Sequence, residues 1–119
     1  MKKILVIDDD PITLQMLEQQ LTGSGFEVIL VSNGLHALDE IQHNKFDLLI
    51  SDILMPKLSG LNLLELLQQN YRIKTPILFI STSSRFDDLL LAFGFSKADI
   101  FHKPLNFAEL VLRIKDILK

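Results

Sequence analysis

Cysteine is missing from this 119-residue chain. Its absence excludes disulfides and thiolate metal sites, and it fits a cytoplasmic protein. Positive charge is in deficit as well. Twelve Lys and Arg face fifteen Asp and Glu, for a formal net charge of -3. No basic run is present to neutralise phosphates, so direct binding of nucleic acid is not expected. Long apolar runs are missing too. Two lysines precede Ile4–Ile7, but three aspartates follow at once. A secretory core needs about 7–15 apolar residues and a membrane span about 20, so neither a leader nor a membrane segment is expected. Repeats, low-complexity tracts and Ser/Pro-rich linkers are likewise lacking.

What remains is ordinary globular composition, 48% hydrophobic and 23% charged. The length suits one domain with a real core and is too short for two. The whole of 1–119 is therefore read as a single domain.

Five short apolar runs punctuate the chain: Ile4–Ile7, Val28–Val31, Leu48–Ile50, Ile77–Ile80 and Ile100–His102. Each is too short for a buried helix and suits a strand covered on both faces. Between them lie helical spacings. Ile12, Leu14, Met16, Leu17 and Leu21 form the first, with Asp10 as N-cap, Pro11 in the first turn, and Gly23 and Gly25 at the end. Ser32-Asn33-Gly34 is turn chemistry before Leu35, Ala37, Leu38 and Ile41. Leu61, Leu63, Leu64, Leu66 and Leu67 follow Ser59. Phe86, Leu89, Leu90 and Phe93 predict a less regular fourth helix. Asn106 with Glu109 predicts a capping box for a fifth, Phe107 to Ile117. Strict β/α alternation implies a parallel sheet with right-handed crossovers and helices on both faces. The fold class is α/β, a flavodoxin-like doubly wound (βα)5 fold with strand order 2-1-3-4-5.

The stretch Phe46–Gly60, FDLLISDILMPKLSG, organises the rest. Its apolar run ends at Asp52, and Pro56 and Gly60 then break the chain into a loop. Ligands and chemistry collect at that carboxyl edge of an open α/β sheet. Other strands end there in Asp8 and Asp9, in Ser81 and in Lys103. In the 2-1-3-4-5 order the first and third strands are neighbours, about 4.8 Å apart, so Asp8, Asp9 and Asp52 crowd together. Two carboxylates about 5 Å apart repel by roughly 3 kcal/mol at an effective dielectric near 20. A divalent cation would offset this, and all-oxygen ligation favours Mg²⁺ over zinc. A cation, an ammonium and a hydroxyl around one carboxylate suit a phosphoryl group rather than a base.

IDDDP at Ile7–Pro11, SDILMPKLSG at Ser51–Gly60, Ser81 after its strand and the Lys103-Pro104 pair occur in that order. The chain thereby resembles a response-regulator receiver domain of two-component signalling over nearly its whole length. The resemblance implies that Asp52 is the phospho-acceptor. It implies Mg²⁺ (or Mn²⁺) held by Asp8, Asp9, Asp52 and the main-chain carbonyl of Leu54. Ser81 would be the hydroxyl that moves to the phosphoryl group, Lys103 its ammonium partner, and Lys103-Pro104 a cis peptide. The implied partners are a sensor histidine kinase or histidine phosphotransfer protein and a downstream protein target. The domain would be a monomer or a phosphorylation-dependent dimer, not itself an enzyme beyond assisting its own phosphorylation and dephosphorylation. No DNA-binding module follows Lys119, so a stand-alone regulator or an excised receiver is expected.

Three departures from the family pattern concern output. Thr82 stands where a small residue is usual, Ile100 where an aromatic switch residue is usual, and Ser96-Lys97 where Gly-Ala is usual. Isoleucine is stiff at χ1 and cannot make a large aromatic swing. Output is therefore expected through the loop after Ser81 and the fourth helix, with the fourth helix, last strand and last helix as partner surface.

Two alternatives compete. Asp8-x-Asp10 also resembles the haloacid dehalogenase-like phosphohydrolases, with Asp8 as nucleophile and Asp10 as general acid. Ser81, Lys103 and Asp87-Asp88 can imitate the other motifs of that family. That reading leaves Asp52 and the Met55-Pro56 to Gly60 segment without a purpose, and the chain has no room for a cap module. A phosphorylation-independent interaction module is the other, though such a domain is expected to lack one of the acidic or lysine residues present here. A flavin-binding reading fails because three aspartates would repel a phosphate. Remaining residues read as structural: Asp10 as a cap, His36, His43 and His102 at surfaces or element ends, and Phe79, Phe93, Phe95 and Phe101 as packing.

Overall fold

The computed structural model describes residues 1–54, 59–71 and 74–119. Each apolar run becomes a strand: β1 (Lys3–Ile7), β2 (Glu27–Val31), β3 (Leu48–Asp52), β4 (Ile77–Ser81) and β5 (Ile100–His102). They form one parallel sheet in the order β2-β1-β3-β4-β5, as the alternation predicts. The runs are continuous because successive side chains point to opposite faces and both faces are covered. Ile4 and Val6 join one apolar cluster with Leu17, Leu21, Leu110 and Ile114. Leu5 and Ile7, from the same strand, join the other side with Ala37, Leu63 and Leu67. A third cluster gathers Ile53, Leu64, Phe79, Leu90 and Ile100.

Two helices start at their expected caps, Asp10 and Asn106, and two more open on Asn33, expected only in a turn, and on Ser59, expected only to precede a helix. Asp10 accepts from the Ile12 amide at 3.1 Å and opens α1 (Pro11–Gly23). Asn33 accepts from the His36 amide at 2.9 Å and opens α2 (Gly34–His43). Ser59 accepts from the Asn62 amide at 3.2 Å and opens α3 (Gly60–Leu66), which continues into a wider turn of π geometry over Leu67–Tyr71. Asn106 accepts from the Glu109 amide at 3.2 Å and opens α5 (Phe107–Ile117), so its half of the capping box is formed. These side chains satisfy amides that the first helical turn leaves without partners. Gly25 ends the α1 turn at a positive φ of 93°, a conformation open to glycine at little cost.

The fourth helix departs most from expectation. A tight turn at Ser84–Phe86 leads into α4 (Asp87–Ala92), which is six residues long and lacks a side-chain cap. It buries only Leu90. Phe93, expected to pack, is instead exposed at the end of this short helix. Phe79 and Phe95 do pack, edge to face with centroids 5.1 Å apart. Ile12, Met16 and Leu35 fit the helical spacings yet lie exposed, Ile12 at 66%. Among the described residues, no helix is long and apolar enough to cross a membrane.

Candidate functional site

Strand order brings the chemistry-bearing residues to one edge. Residues Ile7 and Ser51 are register partners, which sets Asp8 beside Asp52. Asp8 is fully buried, Asp52 is 7% exposed, and Asp9 is exposed. Each of the three offers a carboxylate oxygen, all within 4.8 Å of one another. The predicted crowding is present.

Lys103, just after β5, reaches across the sheet edge. Its ammonium lies 3.4 Å from Asp52 Oδ2 but 2.8 Å from Asp8 Oδ2, on a strand three places away. The short Asp8 contact is an ion pair whose angle leaves Asp8 Oδ2 without an aligned hydrogen bond. Asp8 Oδ1 accepts from the Asp10 amide at 2.9 Å. Asp52 Oδ1 accepts from the Leu54 amide at 3.3 Å.

Electrostatics follow from this geometry. Burial raises the Asp52 pKa above the ordinary carboxylate value, and the Asp8 charge raises it further. Lys103 and the Leu54 amide pull it down by less. Burial pulls Lys103 down, but its close contact with Asp8 and the charges of Asp8 and Asp52 outweigh that, so its pKa is raised. Asp10 behaves differently. The Thr13 hydroxyl, donating at 2.7 Å, and the Ile12 amide lower its pKa. A general acid needs the opposite shift. Asp10 is engaged as the helix cap, a role that does not suit the general acid of the hydrolase alternative.

The residues fit a hard divalent cation. Three carboxylates converge, and Asp8 Oδ2 is a buried oxygen without a hydrogen bond. All-oxygen donors of this kind suit Mg²⁺ or Mn²⁺. Leu54, offered as a further ligand through its carbonyl, sits on the loop two residues beyond Asp52. Met55 and Pro56 of the same motif lie outside the described residues.

Ser81 ends β4 and is buried, but its hydroxyl is turned to its own loop. It donates to the Ser83 carbonyl at 2.7 Å and accepts from the Ser83 amide at 3.1 Å. Thr82 is exposed. The Lys103-Pro104 peptide is cis.

Gly60 shows why the motif closes on glycine. Its amide donates to the Ile53 carbonyl at 2.8 Å. A Cβ there would overlap the Asp52 carbonyl oxygen and sit 3.0 Å from Ile53 Cα. These are backbone atoms that cannot step aside. Gly60→Ala is expected to lower stability by about 1–3 kcal/mol, as overpacking does, read as a lower urea midpoint. An unchanged midpoint would mean that the α3 entry is free to shift.

Sequence reasoning missed several partners here. Thr13 holds Asp10 from three positions further on, a spacing typical of a first helical turn. His102 Nε2 lies 3.0 Å from Asp87 Oδ2, and Arg113 grips Asp99 through Nη2 at 2.8 Å and Nε at 3.1 Å. Neither of these pairs leaves a local sequence signal.

A family model described as response regulator receiver domain matches residues 4–115. The transcriptional regulatory protein CpxR of Escherichia coli K12 is 36% identical over 119 residues, covering all of this chain and 50% of CpxR. PhoP of Bacillus subtilis, the alkaline phosphatase synthesis regulator, is 34% identical over 118 residues, covering 99% of this chain and 49% of its own. The chain thus spans about half the length of the curated relatives it matches. Among solved structures, the receiver domain of Francisella response regulator 1452 superposes with a TM-score of 0.88 at 27% identity, covering 98% and 96% of the two chains. Response regulator TrrA of Thermotoga maritima, solved in complex with Mg²⁺-BeF, gives 0.84 at 31% identity, covering 98% and 99%. Fold, acidic edge and sequence agree: this chain belongs to the response regulator receiver domain family of two-component systems.

Proposed function

We propose that this chain takes a phosphoryl group onto Asp52 in a Mg²⁺-dependent reaction, with Mn²⁺ as a substitute, and changes partner binding in response. The observation that carries this reading is the Asp52 carboxylate at the sheet edge, 3.4 Å from the Lys103 ammonium and within reach of two more carboxylates. The donor is a phosphohistidine of a sensor histidine kinase or histidine phosphotransfer protein, or a small acyl phosphate. An Asp52 oxygen forms the new P–O bond as the donor P–N bond breaks. The electron pair leaves on the imidazole nitrogen. Lys103 is a fixed cation beside the acceptor, placed to hold phosphoryl oxygens. Asp8, Asp9, Asp52 and the Leu54 carbonyl would hold the metal. When bound, it supplies Lewis-acid neutralisation of charge on carboxylates and phosphoryl oxygens. The TrrA complex with Mg²⁺-BeF supports the choice of ion.

Ser81 acts by leaving Ser83 and turning to the phosphoryl oxygens, which releases the loop before α4. Ile100 is only 8% exposed among Ile53, Leu64, Phe79 and Leu90, and its branched side chain has no large swing to make. Output therefore passes through the Ser81–Phe86 loop and α4. The surface of α4, β5 and α5, with exposed Leu89, Phe93 and Leu112, receives a downstream protein. Residues 1–119 act as one cytoplasmic receiver unit that touches no nucleic acid itself, as a monomer or a phosphorylation-dependent dimer.

Intact mass after incubation with acetyl phosphate tests the reading. A single phosphoryl adduct is expected with Mg²⁺ and not with EDTA. No adduct under either condition would overturn it, and an adduct mapped to Asp8 would favour the hydrolase. Beryllofluoride with Mg²⁺ should also alter hydrogen exchange over Ser83–Phe93. A change confined to the surroundings of Ile100 would remove the proposed output route.

A further inference from the structure

We propose that His102 and Asp87 form a proton-dependent latch that ties α4 to β5, and that this latch sets how readily the switch proposed above is thrown. His102 closes β5 as the register partner of Ser81. By strand alternation it projects to the same side of the sheet as Ile100, the side that α4 covers. Its Nε2 lies 3.0 Å from one Asp87 oxygen and 3.1 Å from the other. Asp87 is the first residue of α4.

The pair matters because so little else holds α4. The helix has six residues, one of them buried, and no side-chain cap. Among the described residues, the Asp87–His102 contact is the one ion pair that α4 makes. The loop leading to it is pinned at its start by the two Ser81–Ser83 hydrogen bonds. If the Ser81 hydroxyl turns away, both of those bonds break. The chain from Thr82 to Phe86 then keeps the Arg85 amide bond to Ser83 Oγ at 3.1 Å, the packing of Phe86 against the third apolar cluster, and the Asp87 end. His102 thus stands at the point where release of Ser81 either moves α4 or is resisted.

The strength of that resistance depends on a proton. Histidine changes charge between about pH 5 and pH 8. Protonated, His102 makes a charge-assisted bond to Asp87; neutral, it keeps at most an ordinary hydrogen bond. Two other charged residues, Lys97 from the turn before β5 and Glu109 from α5, line one groove together with His102. They oppose each other in sign. Arg85, on the loop itself, lies over the Phe86 ring at 5.6 Å. Among these charged groups Asp87 is the one in contact with the ring, so a proton on His102 ties α4 to β5.

The test uses hydrogen exchange of the Asp87–Phe93 amides in the unphosphorylated full chain, corrected for intrinsic rates. Protection at roughly pH 5.5 should exceed that at roughly pH 7.5 by about threefold to fivefold, the range of a partly exposed ion pair. His102→Gln and Asp87→Asn should each bring that ratio to about one. His102→Lys keeps the charge and should restore acid-level protection at both pH values. A flat ratio in the unmodified chain, or a pH-dependent ratio surviving in both neutral variants, would overturn the latch. Acetyl phosphate with Mg²⁺ adds an independent arm. His102→Gln and Asp87→Asn should still take the phosphoryl group on Asp52, and at acid pH they should show a larger exchange change in α4 than the unmodified chain. Loss of uptake in the unmodified chain would sink the phospho-acceptor reading while the exchange ratio still decided the latch. An equal α4 response with and without His102 would sink the claim that the latch governs switching.

Discussion

Asp52→Asn is expected to abolish phosphoryl uptake from acetyl phosphate and, at the same time, to stabilise the metal-free protein. The first effect follows from removing the one carboxylate that lies at the sheet edge beside Lys103 with an opening to solvent; Asp8, the other Lys103 partner, is fully buried. The second follows from the raised Asp52 pKa, caused first by burial and then by Asp8. The folded protein keeps a proton on Asp52 at a pH where the unfolded chain has lost it. The contribution of this group to stability is therefore full below the ordinary carboxylate pKa and is lost as pH rises through the folded value. Asparagine removes the charge and with it that loss. The gain at neutral pH should be about 1–3 kcal/mol, the repulsion of close carboxylates less what Lys103 already offsets. Urea midpoints in EDTA at acid and neutral pH would measure it, with the gain present only at the higher pH. Asp9→Asn should gain much less, because Asp9 is exposed and water screens its charge. An adduct surviving in Asp52→Asn would end the assignment, and a lower neutral midpoint would end the crowding argument.

Lys103→Met should do the reverse and then be partly rescued by metal. The Lys103 ammonium is 2.8 Å from Asp8 and 3.4 Å from Asp52. Without it, two buried carboxylates face each other unbalanced. Removing one member of a buried charge pair costs about 3–5 kcal/mol, so the metal-free variant should be strongly destabilised. Mg²⁺ bound as proposed above would compete with the ammonium for the same oxygens. The variant should therefore bind Mg²⁺ more tightly, by about tenfold, or ~1.4 kcal/mol. Saturating Mg²⁺ at about a hundred times its Kd would return roughly 2.7 kcal/mol. Denaturation with EDTA and across a Mg²⁺ titration would show a gap that narrows. A gap that stays constant would mean that the metal does not use Asp8 and Asp52.

Much of this site was legible in the residues alone. Continuous apolar runs of three or four residues mark four of the five strands as buried on both faces, since an exposed face would have produced alternation. Asp10 and Asn106 mark helix starts because short polar side chains satisfy first-turn amides wherever the chain later packs. Once the order 2-1-3-4-5 is reached, Asp8 and Asp52 must be neighbours. The fourth helix resisted because its six residues bury one side chain and leave little periodicity to detect.

Tertiary structure decided what depends on distance across the sheet. Sequence places Lys103 at the edge, but only the sheet shows that its stem reaches Asp8 more closely than Asp52. The Ser81 hydroxyl is identifiable from its position after a strand, whereas its engagement with Ser83 depends on the turn that follows. Ile12 and Met16 share helical spacing with Leu17 and Leu21, yet the docking angle of α1 leaves them in solvent. His102–Asp87 and Arg113–Asp99 join residues fifteen and fourteen positions apart. No helical or strand repeat relates such separations. Local sequence fixes a residue's face and its cap, while strand order, twist and helix docking fix which charges meet.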